Sequence, residues 1–251
     1  MCDVRFFDLL GRKTIITGHY GSGKTEFAIS LALLTCQECV RRTVPLTTCQ
    51  ENRPPDNISL IDLDIVNPYF RSREKRELLE SKGITVYGSV YKEEIGAELP
   101  AIDAAIRAPL ENESEKVIID AGGNDTGALI LNQFEKYFTD DETTLLAIVN
   151  ANRPETSDTD GIIEHITAIE EITSLSISFL VNNTHMLHET TVADIIHGHT
   201  LCKDVCKITD KNLLCNCYPE GIIDPEDLTE LTEQNENLMP LGLYMRPTWL
   251  K

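Results

Sequence analysis

The chain has 251 residues, of which 41% are hydrophobic and 25% are charged, as in an ordinary globular protein with a substantial core. It carries 22 Lys and Arg against 41 Asp and Glu, a formal net charge of -19. This charge argues against binding nucleic acid or an anionic membrane surface, because both need a basic face. No stretch approaches the length of a membrane-spanning helix, and residues 1–10 do not resemble a secretory signal. We therefore expect a cytoplasmic protein.

Apolar runs rich in Ile and Val alternate with helical patterns along the chain. The predicted strands are, in order, 14–17, 58–62, 84–87, 116–120, 145–150, 174–182 and 212–217. The predicted helices include 23–39, 161–173 and 190–207. Several strands are almost entirely apolar, which is typical of strands buried on both faces of a parallel sheet. The alternation predicts an α/β fold, a three-layer αβα domain with a mostly parallel, doubly wound sheet.

Two segments interrupt this rhythm. Residues 41–57 are polar and contain three prolines, which predicts an exposed loop insertion. The tail from about residue 235 turns apolar and contains the only tryptophan, Trp249, so we expect it to pack back onto the domain. Because no repeat and no domain boundary is visible, residues 1–251 are predicted to form a single domain.

Residues 18–25, called the phosphate loop below, read Gly-His-Tyr-Gly-Ser-Gly-Lys-Thr and match G-x-x-x-x-G-K-[ST] between a predicted strand and a predicted helix. In that setting, backbone N–H groups and the positive end of the helix dipole converge on phosphate oxygens. Lys24 would contact the terminal phosphates, and the Thr25 hydroxyl would ligate Mg²⁺. The predicted nucleotide contacts in this segment are Gly21, Ser22, Gly23, Lys24, Thr25 and Glu26.

Two aspartates, Asp62 and Asp64, end the second predicted strand. Carboxylates at the carboxyl edge of a parallel strand face the ligand crevice, where they could polarise a water molecule or hold Mg²⁺ through water. Together with Lys24 they are the predicted catalytic residues. Capping of the following turn by Asp64 or Asn67 is the alternative interpretation.

A third acid, Asp120, ends the apolar strand Val-Ile-Ile-Asp and is followed by glycines. This is the Walker B arrangement, in which the aspartate holds Mg²⁺ through water. Thr25 and Asp120 are therefore the predicted metal residues. The backbone N–H of Gly123 would sense the γ-phosphate, whereas a strand-end aspartate in a glycine turn is the alternative.

These segments together carry a resemblance to a known group of proteins. GHYGSGKT at 18–25, IDLDIVNP at 61–68 and IIDAGG at 118–123 resemble the SIMIBI class of P-loop NTPases, specifically the ParA/MinD/CobQ-CobB-like nucleotide-binding domains. The resemblance covers about residues 12–220. The run LDIVNPYFRSRE at 63–74 is similar to uncharacterised ATP-binding proteins of that group.

The resemblance implies roles for individual residues. Asp62 and Asp64 match the family's two switch aspartates, one of which positions the attacking water. Asp120 matches its Walker B aspartate. Asn182 matches an asparagine that contacts the adenine base, with Asn183 as the alternative.

One position departs from the family pattern. His19 stands where ParA- and MinD-like proteins carry an extra loop lysine that reaches across a nucleotide-sandwich dimer. ATP-driven dimerisation therefore cannot be transferred to this chain, so a homodimer and a separate protein partner both stay open. The chain contains no N-K-x-D guanine motif, which favours ATP and its product ADP over GTP.

The sequence thus predicts a Mg²⁺-dependent ATP-binding protein, an ATPase that acts as a nucleotide switch for a protein partner. One alternative is an ATP-dependent small-molecule ligase or kinase of the CobQ/dethiobiotin-synthetase type. Another is a nucleotide-dependent metal-cluster carrier, which the eight cysteines suggest. In the absence of a complete zinc-ligand pattern, we expect these cysteines to be free thiols.

Overall fold

Strands and helices alternate along the chain. The computed structural model describes residues 4–43, 57–64, 72–88, 99–123, 129–139 and 141–245. The strands are β1 (Lys13–Thr17), β2 (Asn57–Asp62), β3 (Ile84–Tyr87), β4 (Glu115–Asp120), β5 (Thr143–Val149), β6 (Phe179–Asn182), β7 (Asn212–Pro219) and β8 (Leu238–Leu241). The helices are α1 (Val4–Asp8), α2 (Lys24–Thr43), α3 (Arg76–Ser81), α4 (Leu99–Glu111), α5 (Thr159–Thr173), α6 (Val192–Thr209) and α7 (Thr229–Glu233). None of these helices combines the length and the apolar character needed to cross a membrane.

The eight described strands form one sheet in the order β3-β2-β4-β1-β5-β6-β7-β8, and every neighbouring pair is parallel. The phosphate-loop strand β1 lies between β4 and β5, near the middle of the sheet. Because parallel strands point the same way, the carboxyl ends of β1, β2 and β4 meet at one edge. This edge is where the predicted site residues lie.

Side chains alternate between the two faces of the sheet and build two cores. On β1, Ile16 belongs to the core shared with α1, α2 and α3, whereas Ile15 belongs to the core shared with α4, α5 and α6. On β4, Ile118 and Ile119 divide between the same two cores. Both faces of these strands are therefore buried, which explains why their sequences are almost entirely apolar. The three-layer αβα prediction is confirmed.

One predicted strand is shorter than expected. Of residues 174–182, only Phe179–Asn182 is a strand, and 174–178 has no regular secondary structure. The reason lies at the end of α5, where Ser174 adopts a left-handed backbone with φ 55° and redirects the chain. The apolar run continues through this connection because Ile177 is buried in the second core.

Part of the C-terminal tail forms a strand that the sequence did not predict. Residues Leu238–Leu241 pair with β7 as β8. Pro240 in this short segment fits an edge strand, where a missing backbone donor is tolerated. Of the predicted insertion at 41–57, the first three residues complete α2 and Asn57 starts β2; residues 44–56 lie outside the described residues, as does Trp249.

A single carboxylate joins α5 to the start of β7. Oε1 of Glu170 accepts hydrogen bonds from Lys211 Nζ at 2.7 Å and from the Ile177 backbone N–H at 2.7 Å. Burial raises the pKa of Glu170, but these hydrogen bonds outweigh it and the pKa is lowered overall. A carboxylate with a lowered pKa in the folded state stabilises the protein above its ordinary pKa, and this stabilisation is lost as the pH falls.

We predict that Glu170→Gln lowers the free energy of unfolding by about 1–2 kcal/mol at neutral pH, because charge-assisted hydrogen bonds are lost. The difference from wild type should shrink below about pH 4.5, the ordinary value for this group, as the wild-type carboxylate protonates. Urea unfolding at several pH values measures both effects. Glu171→Gln, an exposed neighbour on α5, is the matched control and should change little. A pH-independent difference would contradict the assignment.

Candidate functional site

The phosphate loop joins β1 to α2 in a conformation that holds its backbone close to other chain segments. Gly23 has φ 83°, and a Cβ atom added there would lie 2.4 Å from Nδ2 of Asn183. Only glycine fits this position, in both backbone conformation and space. The helix starts at Lys24, so the N–H groups of its first turn lack partners within the helix and point toward the loop. Such a helix start is a binding site for phosphate.

Lys24 is buried beneath the loop. Its Nζ donates to the backbone carbonyl of His19 at 3.1 Å, which orients the ammonium group. Burial lowers the pKa of Lys24, while the carboxylates of Asp120 and Asp64 oppose this change. A Cβ atom on Gly123 would lie 1.7 Å from the Gly18 carbonyl oxygen and 2.7 Å from Lys24 Nζ. The turn after β4 therefore packs directly on the phosphate loop.

The three predicted acids lie together at the sheet edge. Asp62 and Asp120 are register neighbours on β2 and β4, and the Leu63 N–H donates to the Asp120 carbonyl at 2.9 Å. The Asp64 N–H donates to Oδ1 of Asp62 at 3.2 Å, which holds the turn after β2. All three side chains are at most 7% exposed. The structure therefore brings Asp62, Asp64 and Asp120 within one cluster with Lys24.

Asp120 has the environment of a cation ligand. Burial, followed by the Asp62 carboxylate, raises its pKa well above the usual range, while Lys24 and the Thr25 hydroxyl lower it. Neither carboxylate oxygen has a hydrogen-bond partner of good geometry among the described residues. Two buried acceptor oxygens beside a hydroxyl are suited to Mg²⁺, which prefers oxygen ligands. The residues present therefore fit the metal that the sequence predicts.

A cavity of about 260 Å³ adjoins this cluster. The phosphate loop and Asp64 form one side of it, and the tail forms another through Leu241, Leu243 and Met245. Asn183 and His185, which follow β6, also line it. The cavity is thus polar where the loop lies and apolar where the tail lies, as a site for a phosphorylated base would require.

The predicted adenine contact, Asn182, does not reach this cavity. Its Nδ2 donates to the Ile195 carbonyl at 2.9 Å and to Oδ1 of Asn216 at 2.8 Å. Its Oδ1 accepts from the backbone N–H and the hydroxyl of Thr184. With its hydrogen-bonding capacity used inside the protein and no exposed surface, it cannot contact a ligand there. Asn183, the alternative, lines the cavity and donates to the Ser22 carbonyl at 2.7 Å.

Glu26 plays a part that the sequence did not indicate. Its two carboxylate oxygens accept hydrogen bonds from the backbone N–H groups of Tyr244 and Met245, both at 2.8 Å. One turn further along α2, the Ser30 hydroxyl accepts from the Gly242 N–H at 3.2 Å. Glu26 lines the cavity, yet its carboxylate serves to hold the tail against α2. By holding the tail, Glu26 fixes the tail residues that line the cavity.

Arg153 also lines the cavity and was missed by sequence reasoning. It follows β5 in the run Asn150-Ala-Asn-Arg153, at the sheet edge next to the phosphate loop. Its place at the carboxyl end of a strand beside β1 is a signal that could have identified it. The tail residues of the cavity wall carry no comparable signal.

The described cysteines are divided between the two cores. Cys36, Cys39, Cys215 and Cys217 belong to the first core, and Cys202 and the partly buried Cys206 pack in the second. Within the described ranges, no group of three or more His, Cys, Asp or Glu side chains is placed to hold a metal by itself, and this includes the three aspartates. A cation at Asp120 would therefore complete its shell with Thr25, phosphate oxygens and water. Cys2 and Cys49 lie outside the described residues.

Comparison with known proteins supports the fold. No protein-family model matches the chain, and no curated protein does. The structure of the cell division protein FtsY from Thermotoga maritima is similar with a TM-score of 0.51 at 16% identity, over 83% of this chain and 66% of that chain. FtsY from Mycoplasma mycoides is similar with a TM-score of 0.52 at 12% identity, over 81% of this chain and 58% of that chain.

This chain thus spans less than two thirds of the length of either FtsY structure. At such low identity the likeness concerns the fold alone, which is the three-layer αβα fold of P-loop NTPases. The narrower resemblance to ParA/MinD/CobQ-CobB-like domains, which the sequence motifs suggest, stays a prediction.

We predict that Glu26→Ala releases the tail from α2. Two backbone donors lose their charged acceptor, so we expect a loss of about 1–3 kcal/mol of stability. Hydrogen exchange should accelerate at the amides of Tyr244 and Met245 more than elsewhere. Gln37→Ala, an exposed change on the same helix, is the control. Unchanged exchange at those two amides would show that other contacts hold the tail.

Proposed function

We propose that this protein binds Mg²⁺–ATP and hydrolyses it, acting as a nucleotide switch for a protein partner. The observation that carries the proposal is the convergence of the phosphate loop, the buried Lys24 and three buried aspartates at one sheet edge. Structural ion clusters can also perturb pKa values, but a phosphate loop with this helix start gives the cluster a ligand to act on.

Each group has a distinct task in this proposal. The backbone N–H groups at the start of α2 and the Lys24 ammonium bind the polyphosphate. The Thr25 hydroxyl and Asp120 hold Mg²⁺, which when bound neutralises charge on the phosphate oxygens. Because Asp120 is fully buried, bulk water does not compete with Mg²⁺ for its carboxylate.

Asp64 is the stronger candidate for orienting the attacking water. It lines the cavity, whereas Asp62 lies behind it and supports the turn by accepting the Asp64 N–H. A carboxylate beside a bound terminal phosphate can accept a proton from water or fix its direction of attack. Asp62 would then act as a positioning residue for Asp64.

Adenine is the base we propose. Guanine recognition uses a carboxylate that accepts from the N1–H and N2–H groups of the base, and the sequence has no N-K-x-D motif to supply it. Among the described residues that line the cavity, the carboxylates are Asp64 at the loop and Glu26, which accepts two tail N–H groups. Asn183 is our candidate for the base contact.

The alternatives differ in what they require. A ligase or kinase needs an acceptor pocket beside the terminal phosphate, and it would hydrolyse ATP only when a metabolite is supplied. A metal-cluster carrier needs clustered thiols, and the described cysteines are dispersed between the two cores. No described feature favours either alternative over the switch.

Lys24→Ala should reduce affinity for ATP by more than about 100-fold, because a buried charge-assisted contact to phosphate is removed. Asp120→Asn should weaken Mg²⁺-dependent binding while leaving a Mg²⁺-independent component. Titration calorimetry with and without EDTA measures both. Lys207→Ala, an exposed lysine on α6, is the control. Wild-type affinity in Lys24→Ala would refute the proposed function.

ATP should displace a fluorescent ATP analogue at least about tenfold better than GTP, because the described lining carboxylates are Asp64 beside the phosphate loop and Glu26, which holds the tail, and we assign neither to the base. Competition titrations in the presence of Mg²⁺ test this directly. Equal displacement by ATP and GTP would contradict adenine recognition and indicate a site that binds the phosphates alone. Stronger displacement by GTP would indicate a guanine-nucleotide site.

A further inference from the structure

The segment after β5 holds an arginine against the outside of the phosphate loop. Asn150 organises this segment: its carbonyl accepts from the Arg153 N–H at 3.1 Å and from the Thr156 hydroxyl at 2.7 Å. Its side-chain oxygen accepts from the Asn152 N–H at 3.0 Å. Asn150 is fully buried, so these bonds fix the start of the Arg153 side chain in a defined place.

The guanidinium group lies against the loop at Gly21. Nε of Arg153 donates to the Gly21 carbonyl at 3.1 Å. A Cβ atom on Gly21 would lie 2.9 Å from Nε and 3.2 Å from Nη2, so the approach depends on glycine at this position. Nε is engaged in this bond, and Arg153, which lines the cavity, has two further nitrogens, the terminal Nη atoms. They have no hydrogen bond or ion pair to any residue within the described ranges.

The charges around this group leave its terminal nitrogens available. The acid nearest in sequence, Glu155, faces His19 instead, with 3.7 Å between Oε2 and Nδ1. Of the described residues that line the cavity, Lys24 and Arg153 are the lysine and the arginine. Lys24 lies beside the carboxylates of Asp120 and Asp64, which face its ammonium group. The chain has a net charge of -19, yet it places a second positively charged side chain at this cavity, where an anion can bind.

We propose that Arg153 is a second phosphate-binding cation, contacting the polyphosphate from the Gly21 side of the loop through its terminal nitrogens. The proposal rests on the proposed function, since it assigns a residue to the same nucleotide site. Guanidinium stays charged at all relevant pH values, and its planar donor fork matches phosphate oxygens. Its Nε bond to Gly21 fixes the fork before a ligand arrives, which lowers the entropic cost of the contact.

The first test uses Arg153→Gln and Arg153→Lys, with Arg41→Gln at the far, exposed end of α2 as the control. Calorimetric titrations measure affinity for Mg²⁺–ATP, Mg²⁺–ADP and inorganic tripolyphosphate. We expect Arg153→Gln to weaken all three by about 10- to 100-fold, and Arg153→Lys to restore part of the loss, because the charge returns without the fork. The loss should shrink at high salt, since a charge contact is screened.

A merely structural role for Arg153 predicts a different pattern. If the side chain only braces the loop through Gly21, Arg153→Lys would behave like Arg153→Gln and the loss would not depend on salt. That result, or wild-type affinity for tripolyphosphate in Arg153→Gln, would overturn the proposal. If wild-type protein binds neither nucleotide nor tripolyphosphate, the proposed function fails first, and the two failures are thereby distinguished.

A second measurement uses the wild-type protein and avoids any folding defect of a variant. Phenylglyoxal modifies accessible arginines, and mass spectrometry quantifies the modification at each site. We expect saturating tripolyphosphate to protect Arg153 at least about tenfold and to leave Arg41 unprotected. Equal modification of Arg153 with and without bound tripolyphosphate would overturn the proposal.

Discussion

The site depends on the charge balance between the buried ammonium group of Lys24 and three buried carboxylates at the sheet edge, those of Asp62, Asp64 and Asp120. Burial disfavours every one of these charges, which is why the pKa of Lys24 is lowered and that of Asp120 is raised. Three acids against one lysine leave an excess of negative charge in a shielded place. A cation bound at Asp120 would relieve this excess of negative charge.

The topology of the sheet is what makes this cluster possible. Asp62 and Asp120 are far apart in the chain, but β2 and β4 are parallel neighbours, so their ends coincide in register. Strand β1 lies beside β4 and delivers the phosphate loop to the same edge. In a parallel sheet, residues at the ends of three separate strands thus become neighbours at one edge.

The sequence was informative where function depends on local patterns and less so where it depends on tertiary contacts. The loop at 18–25 and the acids at strand ends could be predicted because strand, turn and helix signals adjoin them. Asn182 is bonded inside the protein whereas the next residue, Asn183, lines the cavity, because neighbouring residues at a strand end point in opposite directions. Arg153 and the tail depend on contacts across 132 and 218 residues, and no local pattern records such separations.

The role of Glu26 shows how the two walls of the cavity depend on each other. Thr25 and Glu26 are adjacent in the first turn of α2; the first faces Asp120, and the second accepts the tail N–H groups of Tyr244 and Met245. The tail in turn places Leu243 and Met245 along the cavity. Because one helical turn positions both the phosphate side and the apolar side, a shift of that turn must alter both. The cavity therefore depends on segments from Tyr20 to Met245 that are far apart in the chain, although the motif that predicts it spans eight residues.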